Sequence, residues 1–198
     1  MDQNEHHRSA DRIIVEKVLS GNTRAFGMIM KQTEGLVAQI VFKMISNREE
    51  RRDIAQDIYL KVFQKLDSFR FQAKLSTWIA RIAYNTCINH LEKHQSRTFK
   101  DLENMQADDE TGNAQEHVDQ NDMEEKLISA EFNTMLQVEL DKLPEIYKLL
   151  ITLYHYEELS YSEIGQIVNL PEGTVKNYLF RARKMLRERL EIIYNKGL

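Results

Sequence analysis

Residues 101–125 read DLENMQADDETGNAQEHVDQNDMEE, and this segment limits what the chain can fold into. It contains ten acidic side chains and no lysine or arginine. Its few apolar residues show no periodicity, so it cannot bury enough surface to offset the entropy lost on ordering. We therefore predict a disordered acidic linker over residues 98–125. The linker would divide the 198 residues into two short domains, residues 1–97 and 126–198.

The two ends on either side of this linker are basic and contain few helix breakers. The net charge of the chain is −4, so without the ten acids of the linker the remainder sums to +6. There are only two prolines and seven glycines. Apolar residues recur at three- and four-residue steps, as in Ile54, Ile58, Val62 and Leu66. This pattern predicts an all-α fold made of two small helical domains.

The cysteine content and the hydropathy pattern exclude several classes of protein. A single cysteine, Cys87, permits no internal disulfide and no zinc site built from several cysteines. Its apolar neighbours favour a core residue over a redox role. The first eight residues are polar and the longest apolar runs are short, so we predict no signal peptide, no membrane span and a cytoplasmic location.

Residues 159–183, LSYSEIGQIVNLPEGTVKNYLFRAR, carry the signature of two helices joined by a tight turn. Ser160 can accept a hydrogen bond from the amide of Glu163, and Glu163 can reach back to the amide of Ser160. This capping box would start a short helix, which residues 169–171 would end before a longer helix follows. The arrangement is a helix-turn-helix, which places its second helix in the major groove of DNA.

The second helix of this motif would have one apolar face and one basic face. Val175, Leu179 and Ala182 recur at helical steps on the apolar side. On the basic side, cations can neutralise phosphates, asparagine can bond to a base edge and phenylalanine can contact a thymine methyl. A basic face is often merely solvated, but its position directly after a capped helix and a turn favours DNA contact.

The stretch LSYSEIGQIVNLPEGTVKNYLFRARKML resembles the promoter-reading segment of bacterial sigma factors of the extracytoplasmic-function (ECF) group. The shared pattern is a leucine-serine pair, Glu-Ile-Ala or Glu-Ile-Gly, then Pro-x-Gly-Thr-Val and a basic helix. A weaker similarity exists to response-regulator activators, which also carry Thr-Val-Lys-Asn. The sigma factor resemblance implies that the C-terminal domain reads the −35 element as duplex DNA and contacts the flap of the second-largest polymerase subunit. The implied DNA contacts are Thr174, Lys176, Asn177, Phe180, Arg181, Arg183, Lys184 and Arg187.

The N-terminal half carries a second block of the same resemblance, in RRDIAQDIYLKVFQKLDSFRF. Opposite the apolar stripe of this segment lies a polar face of mixed charge, which by itself is as often solvated as it is an interface. Its Asp-x-x-Gln-Asp pattern is similar to the surface by which sigma factors bind the clamp helices of the largest polymerase subunit. The resemblance therefore implies that Asp53, Gln56, Asp57 and Lys61 bind RNA polymerase core.

The next segment, FRFQAKLSTWIARIAYNTCINHLEKHQSR, mixes basic and aromatic residues. Six lysines or arginines and one acid lie between residues 70 and 100, a mixture that suits single-stranded DNA because bases stack on aromatic rings. Ser76 or Thr77 can cap a helix that follows a loop over residues 71–74. Trp78 alone reads more readily as a core residue.

The resemblance extends over this segment through the pattern Thr-Trp-Leu/Ile-x-Arg-Ile-Ala-x-Asn. It implies that the helix reads the melted −10 element and that the preceding loop captures a flipped base, whose unstacking energy must be recovered by stacking and hydrogen bonds. Many members of the family carry aspartate in place of Asn89 and arginine in place of Glu92. The implied −10 contacts are Phe71, Gln72, Lys74, Trp78, Arg81, Asn85, Asn89 and Lys93.

Metal binding and catalysis are not indicated. His90 and His94 stand four residues apart and could share a metal, but no glutamate follows His90 and no third ligand is evident. The sequence contains no glycine-rich phosphate loop and no nucleophile elbow. We therefore predict that the protein has no metal or cofactor and is not an enzyme.

The sequence leaves two other classes of protein open beside a sigma factor held silent by an anti-sigma factor. One is a free-standing helix-turn-helix regulator. The absence of a sensor domain and of sustained heptads argues against this class. The other is a sigma mimic that binds an anti-sigma factor and no DNA, against which the intact basic face counts.

Overall fold

A computed structural model describes residues 3–94 and 134–196, with side chains over residues 9–93 and 134–193. All regular structure in these two ranges is helical, which confirms the predicted fold class. The predicted linker, residues 98–125, lies outside them. The helices are α1 (Gln3–Leu19), α2 (Thr23–Met44), α3 (Arg48–Lys65), a 3-10 turn (Leu66–Ser68), α4 (Leu75–His94), α5 (described over residues 134–141), α6 (Glu145–His155), α7 (Tyr161–Val168) and α8 (Glu172–Lys196).

Helices α1 to α4 pack around the apolar stripe that the sequence predicts on α3. Ile58 and Val62 are completely buried there, and α2 and α4 both pack on α3. On α4, Cys87 is fully buried, and this burial raises the pKa of its thiol to about 12. The thiol is therefore protonated at physiological pH and packs as a small core residue, as its neighbours predict.

The beginning of α4 differs from the sequence prediction. A cap at Ser76 or Thr77 is wrong, because the helix already begins at Leu75. The amide of Leu75 donates a hydrogen bond to Oδ2 of Asp11 on α1, at 2.8 Å. An aspartate that is distant in sequence thus satisfies the first helical amide, which a local capping pattern cannot anticipate.

Helices α5 to α8 form the second group, and the predicted helix-turn-helix is confirmed. The Ser160–Glu163 capping box is complete at the start of α7. Asn169 ends this helix with a φ of +56°, a left-handed conformation that asparagine tolerates. Immediately afterwards the chain passes Gly165 so closely that a Cβ atom there would lie 2.7 Å from the carbonyl oxygen of Leu170. The turn therefore depends on the missing side chain of Gly165.

The two groups of helices pack against each other along two seams. In the first, α6 lies on α2, and beside it the buried ammonium of Lys43 pairs with Asp141, the last residue of α5, at 3.3 Å. In the second, α7 lies on α4, where Lys74 pairs with Glu163 at 2.8 Å. We call this arrangement the closed form. None of the helices in the described ranges is long and apolar enough to cross a membrane.

Candidate nucleic-acid interface

The outer face of α8 carries the basic residues that the sequence assigns to DNA. Val175, Leu179 and Ala182 are buried against the other helices of the motif, so the opposite side of α8 faces solvent. Thr174 and Arg181 are partly buried. The exposed residues on this side are Lys176, Asn177, Phe180, Arg183, Lys184 and Arg187.

An aromatic cluster lies beside the first turns of α8. Tyr154, near the end of α6, stacks on Tyr161, the first residue of α7, with ring centroids 4.9 Å apart and planes within 6°. We call these two residues the tyrosine pair. Lys176 and Arg183 of α8 lie over its rings. Sequence reasoning missed this cluster, although the run YHYEELSY before the basic helix gave a signal for it.

The carboxylate of Glu172 also holds Lys176. The ammonium of Lys176 lies 2.8 Å from Glu172 one turn earlier, and this hydrogen bond raises the pKa of Lys176 above its ordinary value. Lys176 is therefore fully charged at physiological pH, as a phosphate or base contact requires.

Helix α4 presents a polar stripe at four-residue steps, formed by Arg81, Asn85, Asn89 and Lys93. All four side chains are exposed. The side of α4 that carries Tyr84, Ile88 and Leu91 packs on the core. Burial and the neighbouring Tyr178 of α8 raise the pKa of Tyr84 to about 12. The stripe assigned to the −10 element therefore stays accessible beside the partly buried residues that pack on the core.

The loop before α4 is built from aromatic contacts. Phe71 adopts a left-handed backbone conformation with a φ of +56°, which is unusual for a bulky residue. Its ring packs on Phe69 at 4.7 Å, and Arg12 lies 5.4 Å from the ring centroid. Trp78 also packs on Phe69, with ring centroids 5.2 Å apart, and is partly buried, whereas Gln72 is exposed. The loop is thus a preformed aromatic surface with one polar side chain at its edge.

Among the described residues, Lys74 is the one predicted −10 residue that forms an ion pair with the C-terminal helices in the closed form. Its partner, Glu163, also completes the capping box of α7. Burial pushes the pKa of Glu163 upward, but hydrogen bonds from Lys74 and Ser160 outweigh it and hold the pKa below its ordinary 4.5. The contribution of Glu163 to folding stability is thus complete above pH 4.5 and is lost as the pH falls through the lowered value.

We expect Glu163→Gln to loosen the contact between α4 and α7 without unfolding α7, because glutamine also completes a capping box. Both partners are partly exposed, so the closed population should shift by only about threefold. The radius of gyration from X-ray scattering at low and high salt measures this shift. A radius that rises with salt equally in the wild-type chain and the variant would contradict the expectation.

The predicted core-binding face lies on α3. Asp53, Gln56 and Asp57 are exposed on this helix. Lys61 is partly buried, because its ammonium pairs with Asp57 at 2.6 Å and lies 3.4 Å from the hydroxyl of Thr86. This contact fixes the orientation of Asp57.

In the described part of the chain, no three histidine, cysteine or acidic side chains are grouped so that they could hold a metal. Nε2 of His90 lies 2.8 Å from Oε2 of Glu50 on α3. His90 therefore connects two helices of the N-terminal group.

Two family models match the chain over the two helical groups. Sigma-70 region 2 matches residues 29–97, and Sigma-70 region 4 matches residues 134–186. The ECF RNA polymerase sigma factor SigW of Bacillus subtilis is 34% identical over 176 residues, which is 89% of this chain and 94% of SigW. The chain belongs to the ECF sigma factor family. The ECF sigma-E factor of Haemophilus influenzae is 31% identical, over 91% of this chain and 95% of that protein.

Solved structures share the fold of this ECF sigma factor. CnrH in complex with the cytosolic domain of CnrY gives a TM-score of 0.61 at 22% identity, over 92% of this chain and 98% of that one. The sigma factor RpoE in complex with the anti-sigma factor NepR, from Bartonella quintana, gives a TM-score of 0.59 at 19% identity, over 84% and 97%. The all-helical fold predicted from the sequence is thus that of solved sigma factors.

The predicted site residues of this ECF sigma factor fall within or beside the matched regions. Every residue assigned to polymerase core or to the −10 element lies within the region 2 match. Every residue assigned to the −35 element lies within the region 4 match except Arg187, one position beyond it.

Proposed function

We propose that this ECF sigma factor binds RNA polymerase core through the exposed face of α3, reads the melted −10 element with α4 and its loop, and reads the −35 element with α8. The observation that carries this proposal is the pair of exposed DNA-type faces on α4 and α8, each in the matching sigma region. The N-terminal domain then comprises residues 1–97 and the C-terminal domain residues 126–198, joined by the acidic linker. Such a protein acts in the cytoplasm with the polymerase and is an initiation factor, not an enzyme.

Run-off transcription with purified core polymerase on a pool of genomic fragments tests the proposal. We expect discrete new start sites that share one upstream and one downstream motif and that require this protein. Core binding without any new start would favour a sigma mimic, and DNA binding without core binding would favour a free-standing helix-turn-helix regulator. Membership in the ECF sigma factor family favours neither alternative.

We expect Lys176→Ala to weaken binding of the promoter so identified by about tenfold, because one charged base or phosphate contact is lost. Core binding should not change, because Lys176 lies on α8 and the proposed core-binding face lies on α3. Fluorescence anisotropy with the promoter duplex and with core measures the two affinities. Lys17→Ala, at an exposed lysine of α1, is the control. Equal losses of promoter and core affinity would contradict the assignment.

We further propose that an anti-sigma factor controls this protein by favouring the closed form. The solved relative from Bartonella quintana is in complex with the anti-sigma factor NepR. In this chain, the Lys74–Glu163 pair already joins a proposed −10 residue to the helix-turn-helix. A partner that binds across either seam would keep Lys74 away from DNA.

A further inference from the structure

The tyrosine pair connects three elements of the helix-turn-helix group. Tyr154 comes from α6 and Tyr161 from α7, and the hydroxyl of Tyr161 donates a hydrogen bond to the hydroxyl of Tyr154 at 3.3 Å. Their parallel rings present one continuous aromatic surface beside α8. This surface is partly exposed.

Two cations of α8 lie on this surface. The guanidinium carbon of Arg183 is 5.1 Å from the centroid of the Tyr154 ring, and the ammonium of Lys176 is 5.3 Å from the centroid of the Tyr161 ring. Both distances lie within the range of cation–π attraction. The guanidinium of Arg183 also lies 3.3 Å from Nε2 of His155, whose ring packs edge-on against Tyr154.

These contacts restrict side chains that would otherwise be mobile. Lysine and arginine have many rotamers, and fixing one of them on a phosphate lowers the affinity by the entropy that is lost. A side chain that already lies on an aromatic ring loses less. The rings do not neutralise the charge, so Arg183 keeps its attraction for the DNA backbone. Lys176 exchanges its ion pair with Glu172 for a phosphate when DNA binds.

We propose that Tyr154 and Tyr161 are positioning residues for DNA binding, which hold Arg183 and Lys176 on the DNA-facing side of α8 before the DNA arrives. This inference rests on the proposed function of α8. The tyrosines at the end of α6 and the start of α7 thus raise the affinity for DNA without either ring touching a base.

Binding of the full-length chain to a fluorescein-labelled 20-base-pair duplex of mixed sequence tests the proposal, because phosphate contacts need no specific promoter. We expect Tyr154→Leu and Tyr161→Leu each to weaken binding by about fivefold, because the freed cation must again be ordered when it binds a phosphate. Tyr154→Phe keeps the ring and should bind within twofold of the wild-type chain. Tyr156→Leu, at an exposed tyrosine outside the pair, is the matched control and should leave duplex affinity unchanged.

A double-mutant cycle with Arg183→Ala separates positioning from general support of the fold. We expect Tyr154→Leu to have almost no further effect in the Arg183→Ala background, because the side chain that it positions is absent. A fivefold loss in both backgrounds would overturn the proposal, and so would unchanged binding by both leucine variants. If Arg183→Ala itself binds like the wild-type chain, the phosphate-binding role of Arg183 fails and the positioning role of Tyr154 fails with it.

Discussion

Replacing Asp57 by arginine is expected to weaken binding to RNA polymerase core about 100-fold or more, because a charge is reversed on the proposed core-binding face. Asp57 is half exposed on α3 and its carboxylate is oriented by Lys61 at 2.6 Å. An arginine there would lie beside Lys61 and repel it as well as the partner. Affinity chromatography with immobilised core, followed by anisotropy with labelled protein, measures the loss.

A second charge reversal serves as the control for this experiment. Glu16 on α1 is also exposed and also pairs with a cation four residues away, Arg12, but it lies outside the proposed core-binding face. Glu16→Arg should therefore bind core normally. Equal core affinity of Asp57→Arg and the wild-type chain would exclude α3 as the core-binding face, provided that both variants melt at the same temperature.

Replacing Gly165 by valine is expected to destabilise the C-terminal helices by about 3 kcal/mol, because an overpacked site forces the backbone to move. The first added carbon would lie 2.7 Å from the carbonyl oxygen of Leu170, and a backbone atom cannot rotate away as a side chain can. The turn between α7 and α8 would open and change the angle of α8. Urea unfolding measures the stability of the variant. Duplex binding reports the angle of α8, and we expect duplex affinity to fall together with the stability.

The same substitution at Gly173 is the matched control. A Cβ atom added to Gly173 would meet nothing within 4 Å, and valine has a slightly better helix propensity than glycine. We therefore expect the stability of Gly173→Val to be close to that of the wild-type chain. A similar loss of stability for both variants would show that the close approach at Gly165 is not the cause.

The sequence predicts the local features of this protein well. The Ser160–Glu163 capping box, the end of α7 at Asn169 and the buried stripe of Ile54, Ile58 and Val62 depend on residues within a few positions of each other. Their spacing alone decides whether the hydrogen bond or the packing surface can form. The functions proposed for the exposed faces come from the resemblance to the ECF sigma factor family.

Contacts between distant parts of the chain could not be predicted in this way. Asp11 caps a helix 64 residues away, and Lys74 pairs with Glu163 across the two groups of helices. No periodicity relates such residues, because their meeting depends on how whole helices pack. The tyrosine pair is an intermediate case, since the aromatic residues are visible in the sequence but their stacking on each other and under two cations is not.

The seam between α4 and α7 sets a limit on how tightly this protein can hold a promoter. The −10 and −35 elements lie about 25 base pairs apart, or roughly 85 Å at 3.4 Å per base pair, whereas α4 and the helix-turn-helix touch each other in the closed form. If α4 reads the −10 element and α8 the −35 element, as proposed, one molecule cannot contact both until this seam separates. Its apparent promoter affinity is the intrinsic affinity multiplied by the fraction of separated molecules. A substitution such as Glu163→Gln, which weakens the seam from the α7 side, should thus act as a gain-of-function allele, even though Glu163 is not among the proposed DNA or polymerase contacts.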